Sequence, residues 1–78
     1  MRTKRPKGQR PELATAAEAW KRRRTNLGLT QAELAELLGV KWNTVARYET
    51  AQHEIPEMAI RLLGYIERDA REKRRKER

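Results

Sequence analysis

The side chains best suited to recognising another molecule are a planar amide and a planar guanidinium in one short stretch, Asn43 and Arg47. An amide can form a bidentate pair with adenine and a guanidinium one with guanine O6 and N7, each contributing roughly 1–3 kcal/mol of discrimination. Arg47 has a phosphate as its alternative partner. Beside them, Lys41 carries a flexible ammonium that acts as a point charge, better matched to a phosphate than to a base edge. Thr44 is a hydroxyl donor for phosphate or a plain surface residue. Trp42 holds no donor and acceptor code; its indole can pack on a thymine methyl or a sugar, or on side chains of its own protein. Ala46 completes the set. Bond-making chemistry is not expected: no nucleophile stands with a base, and no paired carboxylates, phosphate loop or metal-spaced ligands occur. No enzyme activity, cofactor or metal is therefore predicted, and the lone His53 reads as an exposed loop residue.

These side chains need a scaffold. Thr30 followed by Glu33 is a capping box, in which hydroxyl and carboxylate satisfy orphaned backbone donors, so a helix is predicted to start at Gln31. Ala32, Leu34, Ala35, Leu37 and Leu38 give it an apolar side, and Gly39 supplies the positive φ for a sharp turn. A second helix follows almost at once, about Trp42 to Glu49. So short a connection forbids an antiparallel pair; the two helices must cross, with small Ala35 admitting the second and Val45 inserting between them. One face of the second helix stays free. Ahead of this pair, a helix is predicted from Pro11 or from Thr15, where Thr15 and Glu18 offer another capping box, to about Asn26, with Ala16, Ala17, Trp20 and Leu27 inward and Gly28 ending it. A fourth helix starts after Ile55, with Pro56 in its first turn and Glu57 at the positive end of its dipole; Ala59, Leu62, Leu63 and Ile66 close the core. Beyond Ile66 the pattern is all charge, which predicts either a frayed helical extension or disorder.

Gln31, Ala35, Gly39, Val45 and the pair Tyr48 and Glu49 resemble the signature of the Cro/CI-type (XRE-like) helix-turn-helix regulators, over about residues 16 to 66. The resemblance implies an all-α, lambda-repressor-like bundle of four to five helices with the helix-turn-helix at helices 2 and 3. It also implies that Gln31, with the backbone donors at the start of helix 2, clamps a phosphate, and that Arg24 and Glu49 form a buried ion pair. Arg22 and Arg23 are left as solvated or phosphate-facing. Two departures stand out: Lys41 replaces the usual Ser or Thr cap of helix 3, and Ala51 replaces the usual glycine after it. The loop at residues 50–54 passes near the DNA backbone in such a fold, where Gln52 and His53 are the available contacts and Glu54 is repelled.

Charge supports a polyanionic partner through its distribution. The net +8 of the 78 residues resides at the ends: +5 in residues 1–11, zero in residues 12–66 and +3 in residues 67–78. The predicted organisation is a basic N-terminal arm (1–11), a helix-turn-helix domain (12–66) and a charged C-terminal tail (67–78). Arg2, Lys4, Arg5, Lys7 and Arg10, with no acid among them, resemble arms that wrap the duplex in some repressors of the family. The alternative is that such tails only keep a small domain in solution. The length predicts one small, marginally stable domain with no room for a ligand sensor. The chain has no cysteine, which suits a reducing cytoplasm. No apolar run approaches the roughly 20 residues that span a bilayer, and nothing reads as a signal peptide.

The expected function is sequence-specific binding of double-stranded DNA by a transcriptional regulator, with repression by promoter occlusion implied by the family. A homodimer on a palindromic operator, half-site centres about 34 Å apart, would supply the affinity one domain lacks. Ile60, Tyr65 and the loop before helix 4 can form its contact surface or be ordinary surface and core. Two other readings keep the fold: an antitoxin or accessory regulator whose primary partner is a protein, and an RNA binder driven by the Arg-rich ends.

Overall fold

The computed structural model describes residues 11–76, which fold as a 3₁₀ turn, Pro11–Leu13, and four α-helices: α1 Ala14–Asn26, α2 Gln31–Leu38, α3 Trp42–Glu49 and α4 Glu57–Lys76. Among these residues there is no strand. The first helix starts differently from either expectation. Pro11, with its fixed φ and missing donor, opens the 3₁₀ turn, which leads straight into α1 through Leu13, so Thr15 already lies inside the helix and no side chain caps it. The Thr15 and Glu18 box therefore does not form. The inner face is Ala17, Trp20 and Arg24, and Ala16 is exposed. Gly28, at φ +73°, ends the helix, and the N–H groups of Leu27, Gly28 and Leu29 return to the carbonyls of residues 23–25.

The expected start of α2 is present in full. Glu33 N–H donates to Thr30 Oγ1 at 3.1 Å and Thr30 N–H to Glu33 Oε1 at 2.9 Å, and these bonds hold the Glu33 carboxyl below the ordinary carboxylate range. Of the five apolar residues in α2, Leu34 and Ala35 are buried and Leu38 is half-buried, while Ala32 and Leu37 face solvent. Five positions spread over eight residues wrap more than one side of a helix, so the apolar set cannot all face one core. Gly39 turns the chain at φ +75°. Lys41 then opens α3 with no side-chain cap, the consequence expected of a residue that cannot accept a hydrogen bond.

Buried Trp20, Leu34, Ala35, Val45, Tyr48, Ile55, Ala59 and Leu63 make one core, with Leu27, Leu29, Leu38 and Ile66 packed against it. Trp20 meets Tyr48 edge to face, centroids 5.4 Å apart at 78°, the arrangement that aromatic quadrupoles favour. Burial pushes the Tyr48 phenol upward. Ala51, where the resembled family has glycine, adopts φ +58° with its side chain wholly enclosed.

Pro56 lies one position before α4 rather than in its first turn, and its carbonyl accepts the Ile60 N–H at 3.2 Å. From there α4 crosses Ile66 without a break and continues to Lys76, which decides between the two expectations for this segment in favour of helix. Ten residues beyond Ile66 add about 15 Å of helix. The extension is fastened to α1: Arg23 Nε donates to Glu67 Oε2 at 3.0 Å and Arg23 Nη2 to Glu67 Oε1 at 2.6 Å. Arg23 is thus neither solvated alone nor free for phosphate, as the sequence suggested, but half of an interhelix clamp.

Candidate nucleic-acid interface

What α3 can present is decided by what holds it. Val45 and Tyr48, three residues apart, bury one side of α3 against α1 and α2. Away from that side, Lys41 at the cap and Trp42 and Arg47 on the helix are exposed, and Asn43, Thr44 and Ala46 are half-buried. Trp42 is 61% exposed, so it is not packed into its own core. None of the ion pairs among the described residues uses Lys41 or Arg47. Both cations therefore stand on this face with their charge uncompensated by a carboxylate in direct contact.

The neighbouring loop extends the surface. Thr44, Arg47, Tyr48, His53, Glu54 and Pro56 line a shallow hollow of about 320 Å³. Gln52 is exposed, and its N–H donates to the Arg47 carbonyl at 3.0 Å, tying the loop to the last turn of α3. Glu54 shares the hollow with Arg47 and makes that end of the surface electrostatically mixed.

The start of α2 joins this surface through one carboxylate. Arg24 reaches Glu49 with two donors, Nε to Oε2 at 2.5 Å and Nη2 to Oε1 at 2.9 Å, and gives Nη1 to the Leu29 carbonyl at 2.7 Å. The side chains are 10% and 3% exposed, and the hydrogen bonds that Arg24 donates to Glu49 raise the Arg24 pKa above its ordinary value. Gln31 Nε2 donates to the same Glu49 Oε1 at 3.0 Å. An amide nitrogen has two N–H groups, so one is spent on Glu49 and the other remains for an outside acceptor. The capping box uses the donors of Thr30 and Glu33 and leaves those of Gln31 and Ala32, the first two residues of the helix, without intrahelical partners.

Arg2, Lys4, Arg5, Lys7 and Arg10 lie outside the described residues. Two contacts here were not anticipated from sequence, Gln31 with Glu49 and Arg23 with Glu67. The first had no sequence signal. The second had a faint one: Ala70 continues the spacing of Leu62, Leu63 and Ile66, and a helix carried that far turns Glu67 toward α1.

Neither curated protein sequences nor solved structures yield a match to the chain. A family model does. It describes a helix-turn-helix domain and matches residues 12–75, from the 3₁₀ turn through the α4 extension. With α2 and α3 packed through Ala35 and Val45 and one face of α3 outward, the chain belongs to this helix-turn-helix domain family, the architecture of DNA-binding regulators.

Proposed function

We propose that this protein is a sequence-specific regulator of transcription of the Cro/CI type, which binds double-stranded DNA with α3 in the major groove and represses by occluding a promoter in the cytoplasm. The observation that carries the reading is the outward face of α3, turned away from the core by the burial of Val45 and Tyr48. A major groove about 12 Å wide admits one helix. In that pose Asn43 reads adenine and Arg47 guanine, while Trp42 and Ala46 pack on thymine methyls or sugars. Lys41, Thr44 and Gln52 take phosphates on either side, and Gln31 offers the N–H that Glu49 leaves unused. The basic arm follows the flanking backbone with Arg2, Lys4, Arg5, Lys7 and Arg10. The operator is palindromic and bound by a homodimer, because a single module of this size buries too little surface for tight specific binding.

Selection of bound duplexes from a random library, followed by salt titration, tests this. The expected result is a two-fold symmetric motif whose contacts shift on Asn43→Ala and Arg47→Ala. Equal binding to every duplex would assign the affinity to charge alone and overturn sequence-specific recognition. Deleting residues 2–10 is expected to flatten the log-log salt slope by about 4 to 5, from five phosphates no longer neutralised; an unchanged slope would remove the arm from the interface.

A further inference from the structure

α4, α2 and the turn between α1 and α2 enclose an apolar groove of about 370 Å³ lined by Leu29, Leu37, Leu62, Tyr65, Ile66 and Ala70, among others. No α3 residue lines it, so its occupation leaves the outward face of α3 open. Tyr65 is 63% exposed and Leu37 57%, a large apolar area for so small a domain. We propose that the groove is the seat of a second copy of this chain, whose α4 packs antiparallel on α4 around a two-fold axis midway between residues 67 and 68. This rests on the reading of the protein as a dimeric DNA-binding regulator and names the surface that makes the dimer.

Shape favours this occupant, and the charge at the groove permits it. On one α4, Tyr65 is a projecting ring and Ala70, half-buried in the same groove, is a shallow seat. Antiparallel pairing about the stated axis places each Tyr65 on the Ala70 of the second copy, the self-complementary contact that a two-fold interface requires. Two chains of charge +8 repel, so they can meet only where local charge is balanced. The groove rim is balanced: Asp69 and Lys73 lie on it, 3.8 Å apart. The same pairing sets the Lys73 of the second copy over Leu62, beside α2. That helix carries Glu33 and Glu36 and no base, and both line an adjoining hollow that shares Leu29 and Leu37 with the groove. The N-terminal arm is a poor occupant, since residues 1–10 offer Met1 and Pro6 as apolar side chains against five cations. One helix against one groove falls near the low end of stable interfaces, roughly 1,200 Å² in total, so association should depend on concentration and tighten on a palindrome.

The absence of native cysteine gives a clean test of register. Under mild oxidation, Tyr65→Cys mixed with Ala70→Cys is expected to give a disulfide dimer, with little from either variant alone. Sedimentation of the full chain should show a concentration-dependent dimer that Tyr65→Glu abolishes, with unchanged helix content and unchanged binding to a half-site duplex. Three results would each overturn the proposal: a wild type that stays monomeric both free and on a palindrome, a Tyr65→Glu variant that still dimerises, or disulfides that form as readily within each single variant. A chain that stays monomeric, but in which a different purified protein shields Tyr65, would overturn it too and make the groove a heterologous site. Dimers with the expected disulfide pattern that select no DNA motif would support the interface and sink the DNA reading alone.

Discussion

Two adjacent arginines in α1 each hold a carboxylate with two nitrogens, yet they do different work. Arg24 grips Glu49 with side chains 10% and 3% exposed, whereas Arg23 grips Glu67 at 34% and 28%. The first pair has surrendered its water and also spends donors on the Leu29 carbonyl and, through Glu49, on Gln31. It ties α1, the end of α3 and the start of α2 into one unit. The second pair keeps much of its water and ties α1 to one segment, the α4 extension. Similar geometry therefore predicts dissimilar energetics, because desolvation decides what remains when a partner is removed.

The sharpest way to break the comparison is to truncate each arginine separately. Arg24→Ala leaves the Glu49 carboxylate buried and unpaired, at an expected cost of about 3–5 kcal/mol. A core of this size rarely supplies more than that, so the variant is expected to be largely unfolded by circular dichroism at room temperature. A melt matching wild type would mean that the pair is dispensable and the contrast false. Arg23→Ala is expected to cost roughly 0.2–1 kcal/mol, since solvent already screens its pair. Its signature is local: faster amide exchange in residues 68–76, with protection in α1 to α3 retained. Uniformly faster exchange would show that the extension belongs to the same cooperative unit as the core.

Acid sharpens the comparison with the smallest effect. The hydrogen bond from Arg23 holds the Glu67 carboxyl below its ordinary range, helped by the Arg23 and Arg71 charges. A depressed carboxylate stabilises the fold above its unfolded pKa, about 4.3 for a glutamate, and that contribution is lost as pH falls through the lower folded value. Titration below about pH 4 is therefore expected to loosen residues 67–76 first, seen as helical signal lost before the Tyr48 and Trp20 environment changes. Simultaneous loss of both would deny the extension any independence.

What could be read from sequence was what is local. The capping box, the Gly39 turn and the limits of α3 are properties of a few consecutive residues, and they appear in the structure where they were expected. The all-α class and the helix-turn-helix followed from the same signals together with the family resemblance. At the α1 start two signals overlap, and neither sets it alone: the proline opens a 3₁₀ turn that runs into α1 at Ala14, so Thr15 falls inside the helix and cannot cap it. Apolar type alone is not burial: Ala16 on α1 and Ala32 and Leu37 on α2 are exposed, because each helix turns only a stripe toward the core. Arg23 and Glu67 are 44 positions apart; the spacing up to Ala70 hints at the face on which Glu67 lies, but which charge it meets is settled only when α1 and α4 dock. On α3 the exposed face followed from where Val45 and Tyr48 must point, but the capture of Gln31 by Glu49 depends on side-chain directions that spacing does not encode.

Ala51 restricts what can occupy the turn after α3. Its φ of +58° tolerates glycine easily and alanine at some cost, and its methyl is fully enclosed, so any atom beyond Cβ must displace its neighbours. For folding, position 51 is therefore narrowly restricted to small residues, while its neighbours Thr50 and Gln52 are exposed. In a library of single variants it would stand as an isolated spike of intolerance in a permissive loop, a mark of backbone shape that is easily mistaken for a binding residue.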